Sequence, residues 1–351
     1  MKKLAIFSTV LAAACGGAVD DFAANAPSLD HLALLIDGTE AADAQSQAVE
    51  NDHCHPHLFV RTHEVVGRLN RHSHKLLRHV RELVAHHPDL ADGASQTWQR
   101  SRDGVDRKLT ITRSGGTYSF ELDFAVHGSN NWVKVAWGSI TPGADLATGN
   151  ATFDYDALHS VIPRERARGK MIFEFSRVHD ATKPAPGIKK TMTIKFENFR
   201  PEDDGHGLRN GSFVHVVEPG IGGSLAFADD VILFCPDNSA GAPADTMTVS
   251  RWYKSGDAIH ARSDASASGG QIPAGHKFVG LSCHNGMDSG RHGESGTWLM
   301  KLEDSTGATV RGSARQGNGG ACDAAFGPVP GLNDNKTDYD FSQPVSFPNQ
   351  W

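Results

Sequence analysis

The fold is decided by residues 117–126, "TYSFELDFAV". Apolar side chains alternate with polar ones along this stretch, and a period of two residues is typical of a strand with one face in a core and the other in water. The alternation places the following side chains on one side: Tyr118, Phe120, Leu122, Phe124 and Val126. The stretch therefore predicts a half-buried β-strand.

Similar runs follow this strand along the chain, separated by turns that contain Gly, Asn, Asp or Pro. They read "WVKVAW", "KMIFEFSRV", "KTMTIKFENF", "SLAFADDVILF", "TMTVSRWY", "HKFVGLSC" and "TWLMKL". Many strands in succession without intervening helices favour an antiparallel meander and disfavour a parallel α/β fold. We expect a mainly β domain over residues 95–345, curled into a half-barrel or a barrel.

One long helical pattern precedes the strands, within the histidine-rich residues 53–90. A broad apolar stripe repeats at helical spacing through Val65, Leu69, Leu76, Val80 and Leu83, which predicts an amphipathic helix packed on the β domain. Residues 53–87 hold six Lys or Arg and two Glu, so this segment is basic, whereas the formal net charge of the whole chain is −7. A basic element of an acidic, exported protein is expected to dock on the protein itself or on another anion, so nucleic acid is not an expected partner.

Nine histidines lie between residues 53 and 87. No cofactor is expected from the sequence, but imidazole and thiol ligands suit zinc or copper. Two clusters have the required spacing, at His53, Cys54, His55 and His57, and on one helical face at His79, Glu82 and His86. The alternative is that these histidines only pack or face solvent on the helix. A third hypothesis is a pH response, since histidine titrates near pH 6.5.

The first residues, "MKKLAIFSTVLAAACGG", have the layout of a bacterial export signal over residues 1–14. The stretch "LAAAC" resembles a lipobox, which implies cleavage before Cys15, a lipid on that cysteine and anchoring in a membrane. Gly16 follows the cysteine and favours the outer membrane of the cell envelope. The alternative is a secreted or periplasmic protein that is cut at an Ala-x-Ala site. Residues 15–52 are interpreted as a tether holding one short helical segment, "LDHLALLI".

Export delivers the chain to an oxidising compartment, where disulfides persist. Four further cysteines remain, and they allow three connectivities. We favour a bond between Cys283 and Cys322, which leaves Cys54 and Cys235 as the second pair.

The order of export signal, tether, helix and antiparallel strands is similar to a group of uncharacterised bacterial envelope lipoproteins. The stretches that carry the resemblance are "GNATFDYDAL", "ARGKMIFEF", "VSRWYKSGDAIHARSDA", "LSCHN" and "ACDAAF". Proteins of this shape also resemble the curved-sheet lipoprotein carriers of the LolA and LppX type, which implies an apolar or lipid ligand on the concave side of a sheet. The residues that would line such a site are Phe120, Phe124, Trp137 and Trp252, although aromatic residues on strands also serve as core.

Catalytic motifs are not found in the sequence, which has no G-x-S-x-G elbow. Adjacent Ser, Cys and His in "GLSCHNG" would point to opposite faces of a strand, so they indicate no dyad. We therefore expect a non-enzymatic structural or interaction module of the envelope, acting on an envelope protein. The alternatives are a carrier of an apolar molecule and a metal-binding protein.

Overall fold

The computed structural model describes residues 19–36, 58–182, 187–201, 209–231, 244–255, 258–270, 272–287 and 297–316.

The described chain folds into one antiparallel sheet of fifteen strands. Each strand pairs with the strand before it and the strand after it, so the order in the sheet is the order in the sequence. The strands are β1 (Leu90–Ala91), β2 (Ser95–Arg102), β3 (Val105–Ser114), β4 (Thr117–Val126), β5 (Val133–Thr141), β6 (Leu146–Asp154), β7 (Arg168–His179), β8 (Ile188–Arg200), β9 (Arg209–Glu218), β10 (Gly222–Val231), β11 (Ala244–Ser255), β12 (Ala258–Ser268), β13 (Lys277–Met287), β14 (Thr297–Glu303) and β15 (Thr309–Gln316).

The prediction of a mainly β, antiparallel meander is confirmed. The sheet is not closed, because the described strands β1 and β15 lie at its two opposite edges and do not pair with each other. The closed barrel among the predicted shapes is therefore wrong for this part of the chain. β1 has only two residues, which leaves little backbone for a further strand to pair with.

Strand β4 shows how the alternation becomes a core. Tyr118, Phe120, Leu122 and Phe124 are all buried, whereas Val126 at the end of the strand is 52% exposed. We call the side of the sheet that carries Phe120, Leu122 and Phe124 the helix face. The buried aromatic and aliphatic side chains of neighbouring strands continue this face, since Leu122 pairs with Leu109 of β3 and with Ala136 of β5.

Four helices are present in the described chain: α1 (Val19–Ala24), α2 (Leu29–Leu32), α3 (Leu58–Val84) and α4 (Tyr155–Val161). Each packs on the helix face, with Phe22 of α1 against Tyr118, α2 against β7, and Tyr155 of α4 against His72 of α3. None of these helices is long and apolar enough to cross a membrane.

Helix α3 lies across the strands instead of along them. Its first turns contact β11, β12 and β13, and its C-terminal part contacts β2 and β3. Near the first end, the Thr62 hydroxyl lies 2.5 Å from the Ser250 hydroxyl, which in turn lies 2.6 Å from that of Ser263. Beyond the other end, Trp98 Nε1 donates to the His86 carbonyl at 3.0 Å. The apolar stripe of α3 is buried throughout, at Val65, Leu69, Leu76, Val80 and Leu83.

Residues 19–36 differ from the tether that the sequence suggested. Phe22, Leu32, Leu34 and Ile36 belong to the same core cluster as the α3 stripe and the strands. The physical reason is the apolar patch itself, because burying a Leu or Ile side chain contributes about 1.5–3 kcal/mol. The burial of these four side chains favours an ordered segment over a tether, so the tether interpretation does not extend to residues 19–36.

Candidate functional site

A groove on the helix face holds residues 31–36 of the protein itself. Its walls are α3 on one side and strands β8 and β9 on the other, which supply the side chains that contact the backbone of this segment. Neither a helix nor a strand is formed by residues 33–36. Their backbone polar groups must therefore be satisfied by side chains, because a buried peptide group without a partner is costly.

Asn70 of α3 holds Leu34 through both of its amide atoms. The Leu34 N–H donates to Asn70 Oδ1 at 2.8 Å, and Asn70 Nδ2 donates to the Leu34 carbonyl at 2.8 Å. Both residues are buried. The side-chain amide thus does what the backbone of a neighbouring strand residue would do.

Lys190 and His215 hold the residues on either side of Leu34. Lys190 Nζ of β8 donates to the Ala33 carbonyl at 2.7 Å. His215 Nε2 of β9 lies 2.7 Å from the Leu35 carbonyl. Because a carbonyl oxygen only accepts, Nε2 carries the hydrogen in this contact.

These contacts have the pattern of an extended strand. In a strand, the N–H and the carbonyl of one residue point to one side, and the carbonyls of the two neighbours point to the other. Here the two polar groups of Leu34 face α3, whereas the carbonyls of Ala33 and Leu35 face the sheet. Leu32 at the end of α2, Leu34 and Ile36 are each 1% exposed, and Ala33 is 3% exposed.

The part of the chain that leads into this segment contacts strands β3, β4 and β7. Asp21 of α1 accepts a hydrogen bond from the Tyr118 hydroxyl, and its carboxylate lies 3.1 Å from an Arg113 guanidinium nitrogen. The His31 ring stacks on Phe175 of β7 with a centroid distance of 5.6 Å. Residues 19–36 therefore contact the sheet from β3 to β9.

His215 is neutral in this environment. Burial lowers the pKa of His215 to about 4, and the nearby Lys190 ammonium acts in the same direction, whereas the hydrogen bond to Leu35 opposes the shift. The neutral ring donates through Nε2, so Nδ1 is an acceptor, and it has no hydrogen-bond partner among the described residues. The ring lies on Trp252 with a centroid distance of 6.2 Å.

Three of the four residues predicted to line a ligand site share the helix face. Phe124 contacts His79 of α3, Trp252 contacts Phe59 of α3, and Phe120 is 2% exposed. The protein's own helices thus cover these side chains. Trp137 lies on the opposite face, because it pairs with Glu121, and it is half-buried beneath the Lys170 ammonium. It does not share a surface with the other three.

The predicted metal ligands His79, Glu82 and His86 are not brought together. His79 is directed towards Phe124, its Nδ1 is 3.9 Å from the Glu82 carboxylate, and His86 is exposed beyond the helix end. Across the described ranges, no three His, Cys, Asp or Glu side chains are placed to hold a metal ion.

Burial and nearby arginine charges act on His79 of this cluster. Burial and, to a smaller extent, the charges of Arg107, Arg78 and Arg102 together lower the pKa of His79 to about 4. Burial also lowers the pKa of His63 to about 4. At least these two of the nine histidines stay neutral in mild acid, which limits the predicted pH response.

The other predicted site residues mostly lie outside the described chain. These are the lipidation site Cys15, the metal candidates His53, Cys54, His55 and His57, and the disulfide candidates Cys235 and Cys322. Cys283 is described and is buried on β13. Its pairing with Cys322 remains a prediction.

Sequence reasoning missed Asn70, Lys190 and His215. A signal for them exists, because each is a polar residue at a position where the pattern calls for an apolar one. Lys190 is in phase with Met192 and Ile194 on β8, and His215 is in phase with Phe213 and Val217 on β9. A polar side chain in the buried phase of a strand needs a partner in the core.

Comparison with protein-family models, with curated proteins and with solved structures finds no match to this chain.

Proposed function

We propose that this protein is a non-enzymatic lipoprotein of the bacterial cell envelope that works as an interaction module. A lipid on Cys15 would anchor it in the outer membrane, and an envelope protein would be its partner. The proposal rests on the export-signal pattern and on the groove that residues 31–36 occupy.

We also propose that the sheet forms a half-barrel that curls around α3. The helix has 27 residues and is about 40 Å long at about 1.5 Å per residue. β2 and β13, which both contact α3, are eleven strand spacings apart, or about 53 Å in a flat sheet with spacings of about 4.8 Å. The sheet would have to curl towards the helix to contact it at both places.

The observation that carries the proposal is the way the groove holds its occupant. Asn70, Lys190 and His215 bind the backbone of three consecutive residues, and the occupant's apolar side chains enter the core. Contacts of this kind recognise a polypeptide, which favours an interaction module.

Membrane anchoring is tested by fractionating cells that carry the wild-type chain or Cys15→Ser. We expect the wild type in the membrane fraction and the variant in the soluble fraction, because one cysteine would carry the anchor. His74→Ala, on the exposed side of α3, is the control for a substitution elsewhere in the chain. Membrane association that is unchanged in Cys15→Ser would overturn this part of the proposal.

A carrier of an apolar or lipid ligand is the second candidate, favoured by the donors Lys190 and His215 beside the buried apolar side chains of the groove. Native mass spectrometry of protein extracted from membranes distinguishes the two functions. An interaction module should have the mass of the processed chain with its anchor. A further stoichiometric acyl ligand would instead establish the carrier.

Metal binding at His53, Cys54, His55 and His57 remains a third hypothesis. Replacing the three histidines with alanine should abolish any stoichiometric binding of zinc or copper, measured by titration with the metal alone. Retention of tight binding in this variant would exclude the cluster.

A further inference from the structure

We propose that the groove occupied by residues 31–36 is a peptide-binding site for a partner protein. The partner would supply an extended segment with apolar side chains at alternate positions, and residues 31–36 would be an internal competitor for the same site. This inference deepens the proposed function as an interaction module and rests on it.

The hydrogen-bonding groups of the groove match a peptide. Lys190 Nζ, His215 Nε2 and Asn70 Nδ2 donate to three consecutive carbonyls, and Asn70 Oδ1 accepts from one N–H. A polypeptide supplies an N–H and carbonyls in this order, on alternate sides of an extended chain. An acyl chain has no donor for Asn70 Oδ1, so it would leave a buried acceptor unsatisfied.

The apolar walls specify which peptide fits. Leu32, Leu34 and Ile36 are almost completely buried among the side chains of the core cluster. A segment with charged residues at these positions would lose the hydration of those charges among the apolar side chains of the core. The preferred ligand therefore has Leu or Ile at positions i, i+2 and i+4 and a small residue at i+1, where Ala33 is buried, and its backbone supplies the polar contacts.

The internal segment sets how strongly an external peptide can bind. The segment belongs to the same chain as α3, so it competes intramolecularly with any external peptide. An external peptide at micromolar concentration would occupy little of the wild-type groove. Weakening the internal segment should expose the site without altering its walls.

The probe is a fluorescent synthetic peptide with the sequence of residues 28–37, "SLDHLALLID". The full-length chain with Leu32→Asp and Leu34→Asp should bind it at least about 100-fold more tightly than the wild type does, measured by fluorescence anisotropy. A probe with Asp at both leucine positions should not bind. Equal binding of the matched probe to the wild type and to the variant would overturn the proposal.

Backbone recognition is tested by methylating the Leu34 nitrogen of the probe, which removes the donor to Asn70 Oδ1. Methylation should weaken binding about 10-fold to the exposed-groove variant and have no further effect when Asn70→Ala is added. His74→Ala, on the exposed side of α3, is the matched control and should retain the full effect. A methylation effect that is the same with and without Asn70 would contradict the assigned contact.

Leu34→Ala serves as a milder exposed-groove variant if the double substitution abolishes the cooperative unfolding transition. It should bind the probe more tightly than the wild type, and equal affinity would overturn the proposal. A wild-type dimer that the probe dissociates would assign the groove to a second copy of this chain and overturn the proposal as stated. None of these results alters the membrane-fractionation test of Cys15, so failure of this inference is distinguishable from failure of the proposed anchoring.

Discussion

Asn70 is the residue on which the groove depends most directly. Removing its side chain leaves the buried N–H and carbonyl of Leu34 without partners, and each unsatisfied group costs about 1–3 kcal/mol. We expect Asn70→Ala to lower the free energy of unfolding by about 2–5 kcal/mol, measured by urea denaturation. The control His74→Ala should change it by less than about 0.5 kcal/mol. Equal stability of the two variants would contradict the assigned role.

Buried histidines should make the protein unstable in acid. The pKa values of His63, His79 and His215 are lowered to about 4, whereas histidine in an unfolded chain titrates near 6.5. Between these values the unfolded state binds more protons than the folded state. The free energy of unfolding therefore has its full value above about pH 6.5 and declines as the pH falls towards 4.

His79→Leu tests this pH dependence at one residue. Leucine keeps an apolar contact with Phe124 and removes one titrating group. The loss of stability between pH 7 and pH 4.5 should become smaller by about 2–3 kcal/mol, at 1.36 kcal/mol per pH unit. Urea denaturation at the two pH values measures the difference, with His74→Leu as the control. An unchanged loss would mean that His79 titrates normally in the folded protein.

Among the residues of the site, those on the apolar pattern were predictable and those that interrupt it were not. Phe120, Phe124 and Trp252 follow from the alternation of their strands. The partners of Lys190 and His215 could not be predicted, because Ala33 and Leu35 are 157 and 180 residues away in the sequence. Contacts between side chains and backbone at such separations leave no periodic signal.

At the scale of elements, the α3 stripe joins two distant parts of the sheet, strands β2 and β3 and strands β11 to β13. Leu76 is 1% exposed at the middle of this stripe. We expect Leu76→Ala to lower the free energy of unfolding by about 2–5 kcal/mol, since it removes buried methyl groups and leaves a cavity. Arg81→Ala, on the exposed side of α3, is the matched control. An unmoved denaturation midpoint for Leu76→Ala would mean that α3 does not contribute to the core.

The strands were the most predictable elements, because a period of two residues is visible in each run. The short helices were the least predictable. α4 begins within "GNATFDYDAL", where Asp154 caps the helix by accepting from the Ala157 N–H at 2.8 Å. Seven residues are too few for a helical period to be recognised, and such a helix is stabilised by its packing.

At the scale of the whole molecule, a disulfide could link the last part of the chain to the sheet. Cys283 lies on β13, which pairs with β14, and Cys322 follows the end of β15 by six residues. We expect a bond between these two cysteines, and peptide mapping without reduction should find the fragments that contain them joined. A fragment that joins Cys283 to Cys54 or Cys235 would contradict this pairing.

The central claim about this molecule is that residues 31–36 are held in the groove. Amide hydrogen exchange measures this directly. We expect the amide of Leu34 to exchange at least about 100-fold more slowly than in an unfolded chain, because Asn70 and the core protect it. In Asn70→Ala, residues 31–36 should lose most of this protection while β7, β8 and β9 keep theirs. Exchange of residues 31–36 at the unfolded rate in the wild type would contradict the account, because this segment would then be a free tether and the groove would have no resident occupant.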